Sequence, residues 1–89
     1  MEIKLIAENE KGKTFQADKF KILYRVKDSI AGDNEINVSE SIYLITGSAK
    51  ITLKDKTWIV NAPSNFQFPA KTYHKIKALT DISFIIFEN

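Results

Sequence analysis

Glu40–His74 reads ESIYLITGSAKITLKDKTWIVNAPSNFQFPAKTYH, and its punctuation decides the fold. Ile42-Tyr43-Leu44-Ile45-Thr46 is a β-branched and aromatic run stopped by Gly47-Ser48, and Lys50-Ile51-Thr52-Leu53-Lys54 alternates apolar with polar positions. Asp55-Lys56 makes a tight polar turn into Thr57-Trp58-Ile59-Val60. Asn61-Ala62-Pro63-Ser64 ends that run, Asn65-Phe66-Gln67-Phe68 forms another short one, and Pro69-Ala70-Lys71-Thr72 breaks the chain again before His74. Such residues suit a pleated, half-buried surface, and turn residues at this spacing leave no room for a helix.

Outward from this stretch the pattern continues. Ile3–Ala7 reads as a short strand, followed by a polar turn from Glu8 to Lys13 around Gly12. Phe20–Lys27 alternates with period two, placing Phe20, Ile22, Tyr24 and Val26 on one face and Lys21, Leu23, Arg25 and Lys27 on the other. Asp28–Val38 reads as loop, most turn-prone at Gly32-Asp33-Asn34. Tyr73–Leu79 and Ile82–Phe87 close the chain as a pair separated by Thr80-Asp81. No window shows the apolar spacing of an amphipathic helix with caps. Seven or eight short strands predict an all-β fold, a small antiparallel barrel or sandwich.

Composition narrows the function classes. A chain of 89 residues reads as one domain spanning positions 1–89, large enough for a single core. No apolar run reaches the roughly 18 residues that cross a bilayer as a helix, and Met1-Glu2-Ile3-Lys4 does not begin a secretory leader, so the reading is a soluble, cytoplasmic protein without a membrane partner. The absence of cysteine excludes disulfides, thiolate nucleophiles and sulfur-ligated metals. Thirteen Lys and Arg against eleven Asp and Glu give a net charge of +2, spread along the chain, in contrast to the clustered footprint of nucleic-acid binders. The three glycines, Gly12, Gly32 and Gly47, form no phosphate-binding loop.

Strand parity then selects candidate site residues. His74, the only histidine, shares a face with Ile76 and Ala78, whereas Lys75 and Lys77 take the opposite one. Lysine is almost never fully buried, so His74 points inward. Glu40 shares parity with Ile42, Leu44 and Thr46 and faces the core if its strand begins there. An inward carboxylate needs a partner, which places Glu40 at the rim or mouth of a cavity. Tyr24, Ile42, Leu44, Phe66, Phe68 and Ile76 are expected to line the interior.

The same residues resemble the cupin motifs. Glu40, six residues and Gly47 resemble the second half of the first motif, and Ala62 to His74 resembles the second, a Pro-Gly-Asp turn, a short strand and Pro-x-Gly-x-x-His. The likeness covers roughly residues 33–79. It implies an antiparallel jelly-roll barrel whose cavity is lined from the Glu40 and His74 strands. It also implies dimerisation through sheet faces; Ile82–Phe87, apolar on both faces, needs a cover on one of them, from the N-terminal strand Ile3–Ala7 or from a second subunit, and the reading is a homodimer. The metal-binding members of that family carry two histidines one residue apart, shortly before the glutamate. Here those places fall on Asp33 and Glu35 or on Asn34 and Ile36, the glycine two residues after Pro69 is Lys71, and the Pro-Gly-Asp turn is Ala62-Pro63-Ser64.

Two functional readings follow. In the first, the cavity binds a small molecule without a tight metal, with His74, Glu40, Tyr24 and Phe68 as contacts. In the second, His74, Glu40, Glu35 and Asp33 hold a divalent ion (Mn, Ni, Zn or Fe) in an isomerase- or oxygenase-type enzyme. The first is preferred, since a first-row catalytic metal wants three or four protein ligands and only one imidazole is present. A barrel stacking single-stranded nucleic acid on Trp58, Phe66, Phe68 and Tyr73 is a distant third, because Phe66 and Phe68 share a face between prolines and read as core. No spacing marks a Ser/His/Asp nucleophile.

Overall fold

The computed structural model describes residues 1–89 and contains strands but no helix. The strands are β1 (Lys4–Asn9), β2 (Gly12–Gln16), β3 (Phe20–Arg25), β4 (Ile30–Asn34), β5 (Glu40–Thr46), β6 (Ser48–Leu53), β7 (Lys56–Asn61), β8 (Ser64–Phe68), β9 (His74–Ala78) and β10 (Ile82–Glu88). They form two antiparallel sheets, one of six strands in the order β1-β2-β3-β10-β5-β8 and one of four in the order β4-β9-β6-β7. The fold is the expected antiparallel jelly roll.

Two strands are absent from the sequence reading. β2 lies partly inside the expected polar turn, where Gly12, at φ +142°, lets the backbone approach Tyr24 more closely than any Cβ would allow. β4 lies inside the expected Asp28–Val38 loop, and its composition, Ile-Ala-Gly-Asp-Asn, carries no strand signal. Pairing with β9 makes it a strand, through Ile30 opposite Lys77, Ala31 opposite Ile76 and Asn34 opposite His74.

The core lies between the sheets. Phe68, Phe84, Ile42, Leu44 and Ile51 are its largest enclosed side chains, and each contributes about 1.5–3 kcal/mol by leaving water. Register aligns them: Phe84 of β10 stands opposite Leu23 of β3 and Leu44 of β5, so one row of inward side chains crosses three strands. This row corrects the parity expected for β3. Leu23 is buried and Tyr24 points outward, 49% exposed. Both faces of β3 carry apolar residues, so alternation alone left its orientation to be set by the pairing with β10.

The outer face of the larger sheet carries a second apolar row. Leu5, Phe15, Ile22, Ile85 and Tyr43 stand opposite one another across β1, β2, β3, β10 and β5. Phe20 packs on Phe87, and Phe87 on Tyr43, with ring centroids 5.2 and 5.7 Å apart.

Candidate functional site

β5 opens at Glu40, and Ile42 and Leu44, on the same face, are buried in the core. Glu40 therefore points between the sheets, with its side chain 14% exposed. β9 opens at His74, 4% exposed, with Ile76 and Ala78 buried behind it and Lys75 and Lys77 turned away. The two side chains meet at one end of a cavity of about 360 Å³, where His74 Nε2 lies 4.0 Å from Glu40 Oε1.

Three contacts orient the imidazole. Its ring stacks on Phe68 with centroids 4.4 Å apart and planes inclined by 26°. Nδ1 lies 3.3 Å from the Thr72 carbonyl, which can only accept, so the Nδ1–H donates to it. In the neutral ring Nε2 is then an acceptor facing Glu40. The edge carrying Cδ2 and Nε2 lies over Gly32, where an added Cβ would stand 3.0 Å from Cδ2 and 3.2 Å from Nε2.

Burial raises the Glu40 pKa above its ordinary value; His74 and Lys21 oppose this shift, and Glu88, its neighbour across the ladder, adds to it. The 4.0 Å gap exceeds a direct hydrogen bond, but an atom bonded to both groups at about 2.8 Å fits between them at an angle near 90°. With the imidazole neutral, the pair offers two converging acceptors to one polar atom of a ligand.

Asp33 and Glu35 do not join this pair. Both are exposed and lie outside the cavity wall, which is formed here by Ile30, Ala31, Gly32 and Asn34 of β4 and by Ile36 just beyond it. A β-bulge is the cause: Gly32 and Asn34 stand opposite the successive residues Lys75 and His74, so Asp33 is an extra residue, at φ +62°. The extra residue shifts the parity by one and turns Asn34 inward in its place. Asp33 instead accepts a hydrogen bond from the Tyr73 hydroxyl, which raises the Tyr73 pKa.

This geometry corrects the expected metal ligand set. Nowhere do three or more Asp, Glu or His side chains come together as metal ligands. The donors at the cavity end are one imidazole and one carboxylate, short of the three protein ligands of a first-row catalytic site. Asn34 and Ile36, which the bulge carries to the cavity, bring an amide and a hydrocarbon where the metal-binding motif has imidazoles.

Of the remaining expected contacts, Phe68 is fully buried and forms the floor beneath His74, whereas Tyr24 lies on the outer face and touches the ring of Phe15. Phe66 packs on Phe68 inside the sheets, with centroids 5.5 Å apart, and Trp58 packs against the core, so neither ring is a surface stacking platform. The sequence reading missed Arg25, which lines the cavity at the end away from His74. The available signal was its shared parity with Leu23.

No family model and no curated protein matches the chain. Solved structures do. A cupin superfamily protein from Desulfitobacterium hafniense superposes with a TM-score of 0.72 at 14% identity, over 97% of this chain and 74% of that one. The capsular polysaccharide assembling protein CapF from Staphylococcus aureus superposes with a TM-score of 0.82 at 13% identity, over 100% of this chain and 28% of that one. Salicylate 1,2-dioxygenase from Pseudoaminobacter salicylatoxidans, in a structure of its adducts with gentisate, superposes with a TM-score of 0.73 at 12% identity, over 78% of this chain and 19% of that one. The chain has the cupin fold, and it spans only a fifth to a quarter or so of the length of the latter two proteins.

Proposed function

We propose that the protein binds a small organic molecule between its sheets, with His74 and Glu40 as the polar anchor and Ile42, Phe68 and Ile76 as apolar walls. The observation that carries this reading is the convergence of His74 Nε2 and Glu40 Oε1, 4.0 Å apart, on a cavity of about 360 Å³ lined by both apolar and polar side chains. Ligand pockets have this size and this sparse placement of polar groups. Two facing acceptors select a ligand with a donor at that end, such as a hydroxyl, an amide or an amine. Salicylate 1,2-dioxygenase, about a fifth of which superposes on this chain, has been crystallised as adducts with gentisate, a small organic molecule, which supports the reading in kind.

Thermal-shift screening of a library of small hydroxylated and amino compounds tests it. Ligands are expected to raise the melting temperature, and both His74→Gln and Glu40→Gln are expected to weaken binding about tenfold, the loss of a hydrogen bond to a buried acceptor. A library without hits, or hits indifferent to both substitutions, would sink the reading.

We further propose a homodimer that covers the outer row Leu5, Phe15, Ile22, Ile85 and Tyr43. Leu5 and Tyr43 are exposed and Phe15, Ile22 and Ile85 partly so, and a continuous apolar band of this kind marks an interaction surface. Light scattering is expected to give twice the 10.2 kDa chain mass, and Ile85→Asp to give the monomer. A wild-type mass near that of one chain at micromolar concentration would overturn it.

A further inference from the structure

Arg25 closes β3 with its side chain on the inner face, lining the cavity at the end away from His74. The register measures that separation: Arg25 stands opposite Ile82 of β10, whereas Glu40 stands opposite Glu88. Six residues of extended strand put the two ends about 20 Å apart.

The guanidinium has no counter-charge. Nη1 donates to the carbonyls of Lys13 and Tyr24 at 3.1 and 2.9 Å, and Nη2 donates to Thr14 Oγ1 at 3.0 Å. All three acceptors are neutral. The close approaches between charged side chains are Lys4–Glu2, Lys13–Glu8 and His74–Glu40, and none involves Arg25. Two of its five N–H donors, one on Nε and one on Nη2, make no bond to the protein, and Nε is not sealed off from solvent or cavity. Burial lowers the Arg25 pKa, and no acidic neighbour offsets that. Lys11 adds a second cation at the same end without a carboxylate partner. Between the two ends the wall is apolar, built from Leu23, Ala31, Ile76 and Phe84.

A partly desolvated cation, fixed by neutral acceptors and opening onto an apolar wall, is complementary to an oxyanion on an apolar body. We infer that the Arg25 end of the cavity is a subsite for a carboxylate, and that it selects amphipathic organic acids whose apolar part lies along Leu23, Ile76 and Phe84. The inference rests on the cavity-binding reading above and adds to it the charge of the ligand.

Calorimetric titration of the full chain with octanoate and with 1-octanol tests it. Octanoate is expected to bind about tenfold more tightly than octanol, the range of a charge-assisted hydrogen bond, and added salt is expected to weaken octanoate alone. Arg25→Gln is expected to bring the two probes within about twofold, and Arg25→Lys, which keeps the charge and loses the fork, to retain part of the preference. If Arg25→Gln does not fold, the lysine variant and the salt series decide. Equal affinities in the wild type, or a preference that survives Arg25→Gln, would overturn the inference. Inorganic phosphate displacing octanoate as well as octanoate itself would do the same, because the site would then take any free anion. Octanol binding without an octanoate preference defeats this inference and leaves the cavity reading standing. Silence of both probes defeats it too, whereas the cavity reading falls only if the library screen gives no hit or gives hits indifferent to His74→Gln and Glu40→Gln.

Discussion

The ring of His74 lies flat on Phe68, and its Nε2 faces Oε1 of Glu40 across 4.0 Å, so three strands, β5, β8 and β9, meet in one stack of side chains. The Phe68 floor fixes the imidazole from below and the Thr72 carbonyl fixes its tautomer. The carboxylate is then the least constrained of the three and, at 14% exposed, the one nearest to solvent.

Glu40 makes stability depend on pH in a defined direction. Its folded pKa is raised, chiefly by burial, above the value of about 4.3 in an unfolded chain. Between those values the folded state binds more protons, so its stabilising contribution is complete below the unfolded pKa and is lost as pH rises through the folded one. Glu40→Gln removes the titration. The melting temperature of the variant is expected to exceed that of the wild type at neutral pH, with the difference closing as pH falls towards about 4. A difference independent of pH would contradict this.

Gly32 is placed where a side chain would be both strained and crowded. At φ +84° it occupies a region that L-residues disfavour by about 1–2 kcal/mol, and a Cβ would press on Cδ2 of His74 at 3.0 Å. Gly32→Ala is expected to lower stability by about 2 kcal/mol in denaturant titration. It is also expected to move the His74 imidazole resonances, and unchanged resonances would show that the ring does not depend on this glycine.

Lys71 sits at φ +60°, in the place where the resemblance expects glycine, and its amide donates to the Ile36 carbonyl at 2.6 Å. Relief of left-handed strain outweighs the backbone freedom that glycine adds to the unfolded chain, so Lys71→Gly is expected to stabilise by about 0.5 kcal/mol. Lys75→Gly, inside β9, should destabilise by about 1 kcal/mol. Opposite signs in parallel chemical denaturation would agree with this, and a destabilised Lys71→Gly would not.

A donor set of one imidazole and one carboxylate implies weak metal affinity. Excess Mn²⁺, Ni²⁺, Zn²⁺ or Fe²⁺ is expected to leave the melting temperature unchanged, since a ligand stabilises only in proportion to the logarithm of its concentration over Kd. A saturable rise that disappears in His74→Gln would show a site that the side-chain geometry does not display.

Where the chain alternates cleanly and one face carries lysines, the sequence alone is decisive. Lys75 and Lys77 cannot be buried, so His74 is, and Glu40 follows Ile42 and Leu44 by the same two-residue period. The all-β class, the turns around Gly47, Pro63 and Pro69, and the pairing of one imidazole with one carboxylate are all legible there. Tertiary structure decided what a period-two rule cannot carry. The extra residue at Asp33 reverses parity within β4 and replaces two carboxylates by Asn34 and Ile36, and a bulge of this kind is defined only against its partner strand. Apolar residues on both faces of β3 left Tyr24 and Leu23 as rivals for the interior until Phe84 claimed Leu23 across the ladder. That choice turned Arg25 to the cavity and left the row from Leu5 to Tyr43 outside, because a strand has two faces and only its neighbours decide which one is buried.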